Sequence, residues 1–342
     1  MRVVVAEARA PFARDGAELH AQSLLAELRK RGHEAESVAL PFVADKSELR
    51  AQACAWRMLN LSSSNARPID VLIATRFPTW CARHPRKVVW LINQHRAAYE
   101  LFGSKYSDFT ASDDDARLRQ EIIDLDSRML GECQRIVTNA QNTANRLQRF
   151  NGITARPLYH PPPIADRLRA GACGDYVLVV ARLEPLKRVD LVIRAMSHVP
   201  APMRLVVVGD GSQRAALERD AALSDAGDRI EFAGALWGDN VANRYADALA
   251  VAYAPFDEDY GYVTLEAFLA SKPVITASDS GGPLEFVVDG TNGLVCDPDA
   301  RAIAAAINRL ATDRELAERL GRAGRPVAQA ITWDGVIEQL LG

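Results

Sequence analysis

The sequence predicts an α/β protein built from two doubly wound, Rossmann-like domains, and three observations carry that expectation. Short β-branched runs alternate with amphipathic helical stretches along the chain, the order that builds parallel sheets. Three consecutive prolines, Pro161 to Pro163, interrupt the alternation near the middle, where neither a helix nor a central strand can hold them. A second strand and helix series then restarts at Tyr176. The 342 residues leave room for two such domains, and 48% hydrophobic with 25% charged residues is an ordinary globular composition.

In order, residues 2–7 read as a first strand and the amphipathic run 17–31 as a helix stopped by Gly32. Strands follow at 71–75, 88–93 and 135–139. Beyond the prolines come a strand at 176–181, a helix at 190–196, a strand at 204–209, a helix at 214–222, strands at 230–232, 251–255 and 274–277, and a closing helical region rich in Ala and Arg. The expected domains are 1–163 and 164–325, with a further helix in 326–342.

Composition excludes several classes. There is no apolar run of about 18 residues, so no transmembrane helix is expected, and the apolar part of MRVVVAEARAPF is too short for a signal peptide. A cytoplasmic protein is the expectation. Five cysteines, odd in number and without a CxxC pair, read as reduced and mostly structural. The net charge of −3 hides an asymmetry: residues 1–170 carry 25 Lys and Arg against 19 Asp and Glu, and the remainder 16 against 25. The basic N-terminal half, with Arg29 to Arg31 and Arg83 to Lys87, offers a peripheral contact to an anionic membrane or acceptor, although a solvated face is the simpler reading. Nothing supports nucleic-acid binding.

Two carboxylates stand eight positions apart in DEDYGYVTLEAFLA, residues 257–270. Glu258 falls in a loop at the carboxyl edge of a sheet and Glu266 on the helix that Gly261 opens. The N–H groups near residues 261–264 suit an anionic or hydroxyl-rich group, because a helix start carries partial positive charge. Arg182 directly follows the strand 176–181, and Lys187 lies five residues on. Gly209 and Gly211 fall between a strand and a helix, but Arg214 holds the place of the third glycine of a dinucleotide fingerprint, which argues against a nicotinamide enzyme. Trp237 is read two ways, as a stacking platform or as a buried aromatic. His95 and Arg96 follow a strand, and imidazole titrates near neutrality; Thr75 to Pro78 and Tyr99 are its expected acceptor-side neighbours. Of the Asp-x-Asp patterns at 113–115, 124–126 and 297–299, none follows a strand as a metal-binding motif would, and 113–115 reads as a cap for a helix from Ala116. No metal is expected.

The spacing Glu258-x7-Glu266, with VVVGDGSQRAALE (206–218), FAGAL (232–236), SKPVITASDSGGPLEFVVDGTNGLV (271–295) and VARLEPLKRVD (180–190), resembles the retaining glycosyltransferases of the GT-B fold, family 4, also termed glycosyltransferase group 1. The likeness covers residues 176 to about 324. It implies two Rossmann-like domains facing across a cleft, a C-terminal helix crossing back to the first domain, and transfer from a GDP- or UDP-sugar to a carbohydrate or lipid-linked acceptor without metal, in surface polysaccharide or glycolipid synthesis. Arg182 and Lys187 then grip the diphosphate; Glu258 and the N–H groups of Tyr260, Gly261, Tyr262 and Val263 orient the donor sugar. Glu266 holds the ribose, Gly209, Asp210, Leu236 and Trp237 line the nucleotide side, and His95 lies near the transferred sugar. The paired glycines of the family's first loop are reduced to Asp15-Gly16, with Gly16 on the donor-phosphate side. A nucleotide-sugar epimerase of the same fold, or a degenerate binding subunit, is the alternative.

Overall fold

A computed structural model describes residues 1–11 and 16–342, and the chain divides into one unit of residues 1–163 with 332–342 and another of residues 164–331. The first unit holds a parallel sheet of β1 (Arg2–Arg9), β2 (Glu34–Pro41), β3 (Val71–Arg76), β4 (Lys87–Asn93), β5 (Arg135–Thr138) and β6 (Arg156–Pro157), in the spatial order β2-β1-β3-β4-β5-β6. Helices α1 (Gly16–Lys30), α2 (Leu49–Met58), α3 (Asp113–Gly131) and α4 (Gln141–Asn151) accompany it. With both faces covered, the central strands are continuous apolar runs, and Val71, Leu72, Ile73 and Ala74 are all buried. Helix α3 begins at Asp113, three residues before the expected Ala116. Its cap is Ser112, whose hydroxyl accepts from the Asp115 N–H at 3.2 Å. Gly152, at φ 68°, ends α4 in the left-handed conformation that stops helices.

The second unit repeats the plan. Strands β7 (Tyr176–Val180), β8 (Arg204–Val208), β9 (Ile230–Gly234), β10 (Ala250–Ala252), β11 (Val274–Ala277) and β12 (Gly293–Cys296) lie parallel in the order β9-β8-β7-β10-β11-β12. Helices α5 (Val189–Ala195), α6 (Arg214–Ala222), α7 (Asp239–Ala246), α8 (Tyr262–Leu269), α9 (Ala300–Thr312) and α10 (Arg314–Gln329) complete it. Val177, Val179, Leu205 and Val207 share one core with Val192 and Ile193 of α5 and Ile303 and Ile307 of α9. Among the described residues, no helix is long and apolar enough to cross a membrane.

The segment expected as one helix over 326–342 is two elements. Helix α10 runs on to Gln329 with Pro326 inside it, and α11 spans Trp333–Leu341. Val336, Ile337 and Leu340 of α11 join the core of Val3, Val5, Leu24 and Leu28, and each such burial is worth roughly 1.5–3 kcal/mol. Arg86 and Arg135 donate to the carbonyls of Leu341 and Gln339, supplying partners to the last turn.

In each sheet the strand order reverses once, between β1 and β3 in the first unit and between β7 and β10 in the second. Open α/β sheets bind ligands outside the carboxyl ends of the strands at such points.

Candidate active site

The loops that leave β7, β10 and β11 carry the main residues singled out by sequence, and backbone bonds fix them to one another. Phe256 N–H donates to Leu186 O at 2.8 Å, Asp257 N–H to Asp279 O at 2.9 Å, Glu258 N–H to Ser280 O at 2.8 Å, and Gly282 N–H back to Glu258 O at 2.8 Å. Within this lattice Lys187 Nζ forms a close ion pair with Glu258, both side chains being largely buried. The Tyr253 hydroxyl is a further hydrogen-bond partner of Glu258. Lys187 and Glu258, assigned separate tasks by the sequence, are thus in direct contact.

Arg188, which the sequence reading passed over, organises the same loops. Its backbone is left-handed at φ 48°. Its guanidinium donates to Ala254 O at 2.9 Å, to Pro255 O at 2.6 Å, and to both carboxylate oxygens of Asp279.

Helix α8 opens on Gly261, at φ 82°, an N-cap residue with no side chain of its own to cap the first turn. A Cβ at this position would come within 3.0 Å of the Tyr253 ring and 3.1 Å of Pro283, so both backbone and space demand glycine. Tyr260 is buried edge-on to the rings of Tyr262 and Phe286, at 5.5 and 5.7 Å between centroids, which holds the approach to the helix. Val263 lies half-buried in the first turn. Glu266 is half-buried on α8 and accepts from the Tyr245 hydroxyl at 2.6 Å. Burial pushes its carboxyl up from 4.5 to about 7, against the opposing effect of that hydrogen bond.

Arg182 is exposed at the end of β7. Gly209 has a packing reason of its own: a Cβ there would lie 1.8 Å from Ala181 O. Gly211 likewise sits 2.6 Å, by its absent Cβ, from Leu183 O. The glycines let the turn after β8 press against the loop of Arg182, and Leu183 N–H donates to Asp210 O at 2.9 Å. The Asp210 carboxylate accepts from Gly211 N–H at 2.8 Å and from Arg214 at 3.3 Å. After β9, Leu236 is half-buried, and Trp237 is 54% exposed, which overturns its reading as a buried aromatic.

In the first unit His95 follows β4 but is buried between Phe77 and Phe109, with ring centroids 5.9 and 6.1 Å away. Burial pushes its imidazole down to about 4, so it is neutral at pH 7 rather than titrating there, a correction to the sequence reading. Among the described residues its Nε2 has no hydrogen-bond partner. Tyr99 is not an open neighbour: it is buried, and its hydroxyl donates to Asp126 at 2.7 Å. Phe77 too is core. Gly16 is exposed at the start of α1, while Asp15 lies outside the described residues.

Residues 171–327 match the family described as glycosyl transferases group 1. A D-inositol 3-phosphate glycosyltransferase of Acidothermus cellulolyticus is 31% identical over 248 residues, 63% of this chain and 55% of that protein; the alignment thus spans about half of the relative's length. Sucrose-phosphate synthase from Thermosynechococcus elongatus superposes with a TM-score of 0.78 at 18% identity, over 99% of this chain and 96% of its own. Anabaena Alr3699/HepE, solved in complex with UDP and glucose, gives 0.73 at 17% identity, over 99% and 98%. Residues 171–327 are thus similar to the glycosyl transferases group 1 family, and the chain has the fold seen in GT-B structures.

Proposed function

We propose that this chain is a retaining, metal-independent glycosyltransferase that moves a hexosyl group from a UDP- or GDP-sugar to a hydroxyl acceptor. The observation that carries the reading is the Lys187–Glu258 pair, held at the switch point of the second sheet next to the start of α8 at Gly261. As the bond between the anomeric carbon and phosphate breaks, the diphosphate gains negative charge. Lys187 and Arg182 are fixed cations for that charge, and the first N–H groups of α8 add partial positive charge. An arriving diphosphate competes with Glu258 for the Lys187 ammonium, which frees the Glu258 carboxylate to accept from sugar hydroxyls. Glu266, steadied by Tyr245, takes the ribose hydroxyls, and Trp237 offers its face to the base.

The acceptor oxygen bonds to the anomeric carbon on the face the phosphate leaves, and a departing phosphate oxygen takes the acceptor's proton. Configuration is retained, and neither a side-chain base nor a metal is required. A carbohydrate or lipid-linked acceptor belongs to the same proposal, with the basic N-terminal half as the contact to an anionic membrane. Support comes from the inositol phosphate glycosyltransferase relatives and from the complex of Alr3699/HepE with UDP-glucose.

Thermal-shift titration with UDP, GDP, ADP and dTDP, with and without Mg2+, tests it. A ligand at 100 times its Kd stabilises the folded chain by about 2.7 kcal/mol. One nucleotide shifting the melting point equally in EDTA is the expected result; no shift with any of the four would sink the reading.

A further inference from the structure

The Glu258 carboxylate has to take a sugar just when its counter-ion is drawn elsewhere, and a second buried donor stands behind it. Lys187 forms a close ion pair with Glu258, both side chains being largely buried. A diphosphate carries more charge than one carboxylate, so its arrival pulls the ammonium away from Glu258. A largely buried carboxylate whose cation moves off is costly, and nothing ionic then fixes its rotamer. The Tyr253 hydroxyl hydrogen-bonds the same carboxylate. Being neutral, it is not drawn off by an arriving anion as an ammonium is. Burial, and after it the Glu258 charge, pushes this phenol well above its ordinary 10, so it remains a donor at any working pH.

The backbone sets where this hydroxyl stands. Tyr253 directly follows β10, and its N–H donates to Ile275 O at 2.8 Å, which carries the pairing with β11 one residue further. Its side chain is buried, and the ring lies against the turn at Gly261, where a Cβ would come within 3.0 Å of it. Immediately beyond it, Ala254 O and Pro255 O are held by the Arg188 guanidinium. A phenylalanine would fill the same space, and a buried phenol is costly unless its O–H is matched, so the hydroxyl is what this position adds. Glu258 is fixed at its backbone through Ser280 O and the Gly282 N–H, and at its side chain through Tyr253. The lone pairs that remain on the carboxylate then point in a set direction for incoming hydroxyls. We propose that Tyr253 is a positioning residue for sugar recognition: its hydroxyl keeps Glu258 aimed at the donor sugar while Lys187 attends the diphosphate. The assignment rests on the transfer reading above.

Titration calorimetry on the full chain tests it, with UDP, GDP, ADP and dTDP and the glucose conjugate of each. It is run on the wild type, Tyr253→Phe, Glu258→Ala and the double variant. The diphosphate that binds the wild type should bind Tyr253→Phe with a Kd within about twofold of the wild-type value. Its glucose conjugate should bind that variant about tenfold more weakly, as loss of one hydrogen bond to a charged group implies. In the Glu258→Ala background the same change should cost the conjugate nothing further, because the group that Tyr253 holds is gone. A ring that only fills space would instead weaken both ligands alike. Equal weakening of diphosphate and conjugate, no weakening of the conjugate, a tenfold loss that persists in Glu258→Ala, or a Tyr253→Phe chain that does not fold would each overturn the assignment. So would a wild type that takes a diphosphate but no conjugate. Failure of the wild type to bind any of these ligands would sink the transfer reading and this assignment with it, whereas a wild type that binds beside a Tyr253→Phe variant indistinguishable from it would sink the assignment alone.

Discussion

Arg188 donates to the two carboxylate oxygens of Asp279 at 2.8 and 2.6 Å, joining residues 91 positions apart. With its bonds to Ala254 O and Pro255 O it ties the loop of Lys187 to those after β10 and β11. Bidentate charge-assisted pairs are strong and directional, so loss of this one should blur the position of the Lys187 ammonium. Arg188→Gln is expected to lower kcat about tenfold or more, as misplacement of a catalytic group does, with little change in donor KM. A folded variant with wild-type kcat would remove the positioning role.

Lys187→Ala should reduce turnover by about 10²–10³, the range for deleting one stabiliser of transition-state charge. It also strands the largely buried Glu258 carboxylate, so the melting point should fall. The double variant Lys187→Ala, Glu258→Gln should recover melting temperature but not turnover. Recovery of both, read by transfer assay and calorimetry, would contradict the diphosphate role of Lys187.

Glu266 sets a pH dependence of stability. Its folded carboxyl is raised to about 7, above the ordinary 4.5, so its protonated form is favoured by folding. The resulting stabilisation is complete below 4.5 and disappears as pH rises through 7. Glu266→Gln should therefore melt above the wild type at pH 8 and lose that advantage near pH 4.5. Nucleotide affinity of the variant should drop at both pH values, as titration calorimetry would report.

His20 and His160 give a dependence of the opposite direction in the first unit. His20 Nδ1 lies 2.9 Å from His160 Nε2, the pair being buried beside Trp90 and Trp333. Burial pushes His20 down to about 3 and His160 well below its ordinary 6.5. The unfolded chain takes up protons that the folded one refuses, so stability is full above 6.5 and falls steadily as pH drops toward 3. Unfolding midpoints in urea between pH 7.5 and 4.5 should track this, and His20→Gln should flatten the slope. An unchanged slope would refute the assignment.

Local signals were legible in the sequence and distant pairings were not. The alternation of strands and helices, the break at Pro161 to Pro163 and the glutamate spacing depend on neighbours in the chain. Edge strand β2 was missed because its EAESVALP buries only Ala35 and leaves its acids in solvent, which reads as a polar linker. His95 looked available at a strand end, because no linear pattern shows that Phe77 and Phe109 close over it. The partnership of Arg188 with Asp279 exists only once strand order has been set.

The placement of α11 has a consequence for synthesis. The core of the first unit is finished by Val336, Ile337 and Leu340, which are translated after the whole second unit, while Val3, Val5 and Leu24 are translated before it. Domains generally fold as units as they leave the ribosome, but here the first unit must wait through the making of the entire second one. During that interval its sheet keeps an uncovered apolar face, so a stalled or shortened message releases a first unit prone to aggregation while the second is already folded.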